Sequence, residues 1–303
     1  MNANERMGKL MFEPQNYRKK RIIIDTDAAC EGDDPFAVAQ ALMSKTLDVR
    51  FICAEHFMEP GSMERSYDMC RQIVDAMDLD VPVYAGQEGP LGEGALPPLS
   101  EAAVHILEEV RRESENPLYI LCLGAITNVA RAMLEDPEAM RRCTVVWIGG
   151  NPPDRGDEVK REFNSCNDCR AANIVMKNGG ETWLVPSNVY GSMHIGFAEM
   201  QLRIRPCGKI GRLLFDNLIS YYNTPIASWS AGESWSLGDS PAVGIALEPN
   251  CGTFIYHKAP TFHGDGTHHF EDDAPVIRIY TTVNSRFILE DLISKLQILY
   301  GSD

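Results

Sequence analysis

Short apolar runs alternate with longer amphipathic stretches along most of the chain, and this alternation predicts strands and helices in βα order. Strands are expected over 21–26, 49–54, 81–85, 118–123, 144–148, 182–185 and 276–281. Helices are expected over 62–77, 100–112, 126–134, 169–177, 208–222 and 285–299. The last of these carries Phe287, Leu289, Leu292, Leu296 and Leu299 at helical spacing, as an amphipathic end piece does. Ile22 to Ile24 read as a buried parallel strand, and Pro35 with Phe36, Val38, Ala39, Leu42 and Met43 reads as the helix that follows. No repeat, low-complexity tract or Pro/Gly/Ser linker divides the chain, although 86–100 forms a long loop inside the strand order. The expected fold class is α/β: one domain over 1–303 with a mostly parallel central sheet flanked by helices, and 1–20 as an N-terminal extension.

Candidate chemistry gathers where the first strand meets the first helix. RIIIDTDAACEGDDPFAVAQAL places Asp25, Asp27, Asp33 and Asp34 within ten residues. Carboxylates so close repel unless something positive sits among them. Asp34 before Pro35 suits an N-cap, which accounts for one or two of the acids and not for four. Hard oxygen donors in that number suit Ca²⁺ or Mg²⁺ better than zinc, which favours nitrogen and sulfur. Ligands of such sheets collect beyond the carboxyl ends of the strands, where these acids fall.

Composition narrows the partners. A formal net charge of -15 excludes polyanion binding by bulk electrostatics, so neither nucleic acid nor an anionic membrane is an expected partner. Nine cysteines, an odd number scattered through apolar runs, fit reduced thiols in a cytoplasmic protein. Cys166 and Cys169 have C-x-x-C spacing without a second pair or a His at ligand spacing, so zinc is not expected there. The first twenty residues lack the apolar core of a secretory signal. No run approaches the roughly twenty apolar residues of a membrane span.

Three later segments share the position of the acid knot, just past a strand or at a helix start. GAITNVA offers Thr127 and Asn128, as helix caps or through a backbone carbonyl. After WIGG, the loop 151–161 runs into EFNSCND, where Glu162 and Asn164 can hold vicinal hydroxyls through acceptor and donor groups, or form a turn with Asp168 as N-cap. GESWSLGDSPAVGIAL sets Asp239 ahead of Pro241 and an apolar helix, which suits either another cap or the far side of a metal's oxygen shell.

In order and spacing these four segments resemble the nucleoside hydrolase family, in which the corresponding loops build one calcium site. VPVYAG and the terminal TVNSRFILEDLI extend the resemblance along nearly the whole chain. It implies a Rossmann-like core and Ca²⁺-dependent hydrolysis of a ribonucleoside's N-glycosidic bond to free base and ribose. It further implies Asp27, Asp34 and Asp239 as side-chain ligands and Thr127 as a carbonyl ligand, with Asp25 buttressing the loop. Asp27 would accept the proton of the attacking water. Asp33, Glu162 and Asn164 would face the sugar, with Asn151 and His56 as further substrate contacts. Family members assemble as dimers or tetramers, so the resemblance implies a homo-oligomer.

Two departures stand out. Five residues, 28–32, separate Asp27 from Asp33 where the family has three, and they bring in an extra acid, Glu31. Gly238 occupies the place of the family's leaving-group His, so the acid that protonates the base is unassigned. His56, His194, His257, His263, His268 and His269 are candidate donors, and Trp229 or Trp235 offers stacking for the base or plain packing. Two readings compete. IIIDTD and LGD also resemble a haloacid dehalogenase-type phosphatase, with Asp25 as nucleophile, Asp27 as acid and Mg²⁺ as cofactor. Alternatively, the chain is a ribosyl-binding protein that lost turnover with the missing His.

Overall fold

The computed structural model describes residues 3–153, 161–178 and 180–301. The middle of the 151–161 loop, 154–160, therefore lies outside the described residues.

The strands in chain order are β1 (Lys20–Thr26), β2 (Leu47–Ala54), β3 (Val83–Tyr84), β4 (Leu118–Cys122), β5 (Thr144–Ile148), β6 (Glu181–Val185), β7 (His194–Gly196), β8 (Ser234–Ser236), β9 (Gly252–Lys258), β10 (Pro260–Phe262), β11 (His268–Phe270) and β12 (Val276–Val283). Eight of them form one sheet in the order β3-β2-β1-β4-β5-β6-β12-β9. Every pairing is parallel except β12 with β9. From β1 the chain first winds outward through β2 and β3, then crosses back to β4 and winds the other way. The sheet therefore has its topological switch point between β1 and β4, where loops diverge and leave a crevice for ligands.

Both faces of the sheet are covered. Ile22 and Ile24 of β1 pack into one apolar layer and Ile23 into the other, which explains why the run is continuous and not alternating. Trp147 of β5 is fully buried, and its indole N–H donates to the Gly124 carbonyl at 2.9 Å, tying β5 to the loop after β4.

The structure departs from the sequence expectation at the far edge. β9 was not anticipated, and it makes β12 the hinge between parallel and antiparallel pairing. Exposure along β9 is high, so it lacks the apolar run that marks the inner strands. The short antiparallel pairs β7 with β8 and β10 with β11 also escape a reading based on period. The N-terminal extension is fastened to the domain: the Arg6 guanidinium donates to the Met77 carbonyl and to Asp78 at 3.0 Å, and Lys45 Nζ donates to the carbonyls of Leu10 and Phe12. No helix among the described residues is long and apolar enough to cross a membrane.

Candidate active site

Loops from the carboxyl ends of several strands close around an open pocket of about 440 Å³ at the switch point. The turn after β1 contributes Asp27, Glu31, Asp33 and Asp34 to its wall. Gly238 and Asp239 enter from the opposite side, 205 positions away in the chain from the acid turn. Glu162, Asn164 and Tyr190 complete the polar lining.

Carboxylate oxygens of Asp33, Asp34 and Asp239 lie within 4.8 Å of one another. Asp34 is held by the Thr26 hydroxyl, and Asp33 Oδ2 accepts the Gly238 N–H at 2.9 Å. Asp27 packs against Gly124 so closely that a Cβ there would meet its Oδ1 at 2.5 Å. Only glycine lets the loop after β4 approach. The expected cap roles do not hold: Asp34 is the first residue of the helix Asp34–Leu42, whose N-cap position falls to Asp33, and Asp239 makes no side-chain capping bond to the helix Ser240–Leu247. Both carboxylates face the pocket instead.

Electrostatics explain what this costs. Burial, followed by mutual repulsion with neighbouring carboxylates, pushes Asp27, Asp33 and Asp239 well above the usual carboxylate range. Burial raises Asp34 as well, against the opposing hydrogen bond from Thr26. Glu31 is pushed up to about 7 by burial and by Asp34. Among the described residues the lining contains no Lys, Arg or His. The charge must be neutralised by protons or by a cation from solution.

Asn164 gives both amide hydrogens to backbone carbonyls, to Leu123 at 2.8 Å and Ile148 at 2.9 Å, so its Oδ1 is the atom left to offer. Glu162 is already filled: it accepts from Gly150 N, Asn164 N, Ser165 N and the Tyr190 hydroxyl. A carboxylate has about four acceptor sites. This side chain therefore shapes the wall, caps the helix Phe163–Asn167 and fixes Tyr190, which departs from the sugar contact expected of it.

Three expected site residues do not line the pocket: His56, Thr127 and Asn151. His56 is fully buried, with Nε2 2.8 Å from the Thr127 hydroxyl, which donates onward to Asp168 at 3.0 Å. Burial lowers His56 to about 4, leaving it neutral near pH 7 and out of reach as a leaving-group acid. Thr127 is the first residue of the helix Thr127–Glu135, and Asn151 accepts from the Ser187 hydroxyl at 2.6 Å. None of the other histidines lines the pocket either. His257, His263, His268 and His269 belong to the strands and hairpin at the outer edge of the sheet.

Beneath the pocket lies a polar layer. Asn128 donates to Asp25 Oδ1 at 2.9 Å and to the Ala54 carbonyl, and its backbone N–H donates to Glu55. Asp25 is buried below the lining, pushed up to about 7 by burial, and acts as the buttress the loop needs. A group so placed cannot attack a substrate, which removes the nucleophile of the phosphatase reading. Sequence reasoning missed Glu55 and Tyr190. A lone Glu at a strand end and a Tyr in a turn give no pattern. Asp168 does cap the helix Cys169–Lys177, accepting from Ala171 N at 2.9 Å.

Fold and site together define an α/β protein with an acid-lined pocket at the switch point of its sheet. The chain belongs to the inosine-uridine preferring nucleoside hydrolase family, whose sequence model matches residues 22–286. A non-specific ribonucleoside hydrolase of Salmonella enteritidis is 27% identical over 182 residues, covering 53% of this chain and 58% of that protein. The match thus spans little more than half the length of that relative. Among solved structures, a purine-preferring ribonucleoside hydrolase from Gardnerella vaginalis has a TM-score of 0.76 at 20% identity, covering 93% of this chain and 99% of that one. An inosine-guanosine nucleoside hydrolase gives 0.75 at 20% identity with the same coverage. Both share the fold.

Proposed function

We propose that this protein hydrolyses the N-glycosidic bond of a ribonucleoside to free base and ribose, with one Ca²⁺ as cofactor. The observation that supports this reading most is the buried carboxylate knot, with no cationic side chain lining it among the described residues, opening into a pocket at the switch point. Its donor set fits a hard cation. The acids are oxygen donors, and the one nearby thiol, Cys30, is pushed up strongly by burial and so stays protonated.

Asp27, Asp34 and Asp239 would hold the ion through side chains, with Asp33 beside Asp34 and Asp239 in the same carboxylate group, whereas Thr127, expected as a carbonyl ligand, lies outside the pocket lining. When bound, calcium acts as a Lewis acid toward a water and the ribose hydroxyls. Asp27 takes the water's proton as the oxygen attacks the anomeric carbon. Asp33 and Asn164 present acceptors to the sugar, where positive charge develops on the ring in an oxocarbenium-like transition state. Glu162 positions Asn164 and Tyr190 around it. The chain works as a single-domain homo-oligomer, dimer or tetramer, in the cytoplasm, and its nine unpaired cysteines suit a reducing compartment.

A panel of purine and pyrimidine nucleosides assayed for reducing sugar, with and without chelator, tests this. At least one nucleoside is expected to release ribose, with activity lost in chelator and restored by calcium. Nucleoside binding without sugar release would favour the ribosyl-binding reading. Release indifferent to chelator would remove the ion from the mechanism.

A further inference from the structure

The last strand of a sheet presents a row of backbone N–H and C=O groups that another strand can pair with, and proteins blunt such edges with short strands, Pro, Lys, bulges or a covering element. One end of this sheet follows that rule, because β3 is only two residues long. The other end does not. β9 is seven residues long, and among the described residues only β12 pairs with it. It contains no proline, its single Lys is the terminal Lys258, and the register shift between the two strands falls between Tyr280 and Thr282, on β12. Ile255 is 42% exposed and Tyr256 64%, so no described element covers them.

The chemistry of this edge also says what can pair with it. With a formal charge of -15 on each chain, two copies repel one another over much of their surfaces. β9 and β12 form an acid-free margin: neither contains Asp or Glu, and Lys258 and Arg278 are cationic. A strand paired antiparallel with its own copy is two-fold symmetric, so one sequence serves both sides. Centred on Ile255, such pairing sets Ile255 against the partner's Ile255, Phe254 against the partner's Tyr256, and Lys258 against the partner's Gly252, which keeps the two lysines apart. Phe254 and Tyr256 share a sheet face with Arg278, whose guanidinium lies 4.3 and 5.8 Å from their ring centroids and 4.1 Å from that of Trp183. That cation holds both rings in place before a partner arrives, and aromatic pairs across strands are among those that stabilise a sheet.

We propose that two copies of this chain join by antiparallel pairing of β9 about a two-fold axis at Ile255, which makes their eight-stranded sheets continuous. The pairing satisfies the open backbone groups of both edges and takes Ile255 and Tyr256 out of water. It specifies a contact for the homo-oligomer proposed above and needs nothing of the hydrolase chemistry.

Sedimentation velocity of the full chain tests it, comparing wild type, Ile255→Lys, Ile255→Glu and an equimolar mixture of the two variants. Each variant alone should weaken this association by about tenfold or more, because like charges then meet across the axis, and the mixture should recover it as a heterodimer. In the wild type, backbone hydrogen exchange over 252–258 should slow as protein concentration is raised through the association, a readout that requires no substitution. A wild type that stays monomeric overturns this contact and the homo-oligomer together. Variants that assemble as tightly as wild type, a mixture no tighter than its parts, or an oligomer whose exchange over 252–258 ignores concentration would each overturn the β9 contact alone. The nucleoside assay stands apart from all of these outcomes.

Discussion

Replacing Asp27 with Ala is expected to lower the rate of ribose release by about 10⁴-fold, because one side chain serves both as proton acceptor and as ligand. The geometry leaves no substitute. Asp27 is wedged against Gly124 on the β1 side of the switch point, and Asp33 and Asp34 are turned toward Gly238 and Thr26. The same substitution should stabilise the metal-free protein, since it removes one of several buried carboxylates that repel one another. Activity and thermal midpoint therefore move in opposite directions. A loss of both would mean that Asp27 supports the fold, and an unchanged rate in a reducing-sugar assay would remove it from the chemistry.

The second large effect is a stability that falls with rising pH when no ion is bound. In the folded state Asp25 and Glu31 titrate near 7, raised chiefly by burial, whereas an unfolded carboxyl titrates near 4. Between about pH 4 and 7 the folded protein holds protons that the unfolded chain has released, so unfolding releases protons and stability declines across this window. Above it, this contribution is lost and the curve flattens. Metal-free protein scanned at pH 5 and pH 8 should show a thermal midpoint lower at pH 8 by about 5 °C or more. Calcium should reverse most of the loss, because an ion present at 100 times its Kd adds about 2.7 kcal/mol. A midpoint that rises from pH 5 to pH 8 without calcium would contradict the crowding of buried carboxylates around this turn.

Much of this arrangement was legible in the chain, for physical reasons that differ by residue. Ile22 to Ile24 are buried on both faces of a parallel sheet, and that environment writes a continuous apolar run. The four aspartates of the first turn are close in sequence, so their mutual repulsion could be recognised without coordinates. Asp239 was visible as an acid before a proline, but its convergence on Asp34 comes from the strand order.

Other residues were not legible. His56 stands at a strand end, as a pocket residue does, yet the helix Thr127–Glu135 covers it and Thr127 takes its Nε2. Glu162 reads as a sugar acceptor until its four donors are seen. β9 is an exposed edge strand, and without a buried face it carries no period to find.

At the centre stands the claim that the acid knot holds one hard cation. Calorimetric titration of calcium into chelator-stripped protein at pH 7 tests it most directly, with Asp239→Ala as the comparison. One calcium per chain, bound with release of protons from the raised carboxyls and lost in the variant, is the expected result. No binding heat in the wild type, or binding that persists undiminished in Asp239→Ala, would contradict it.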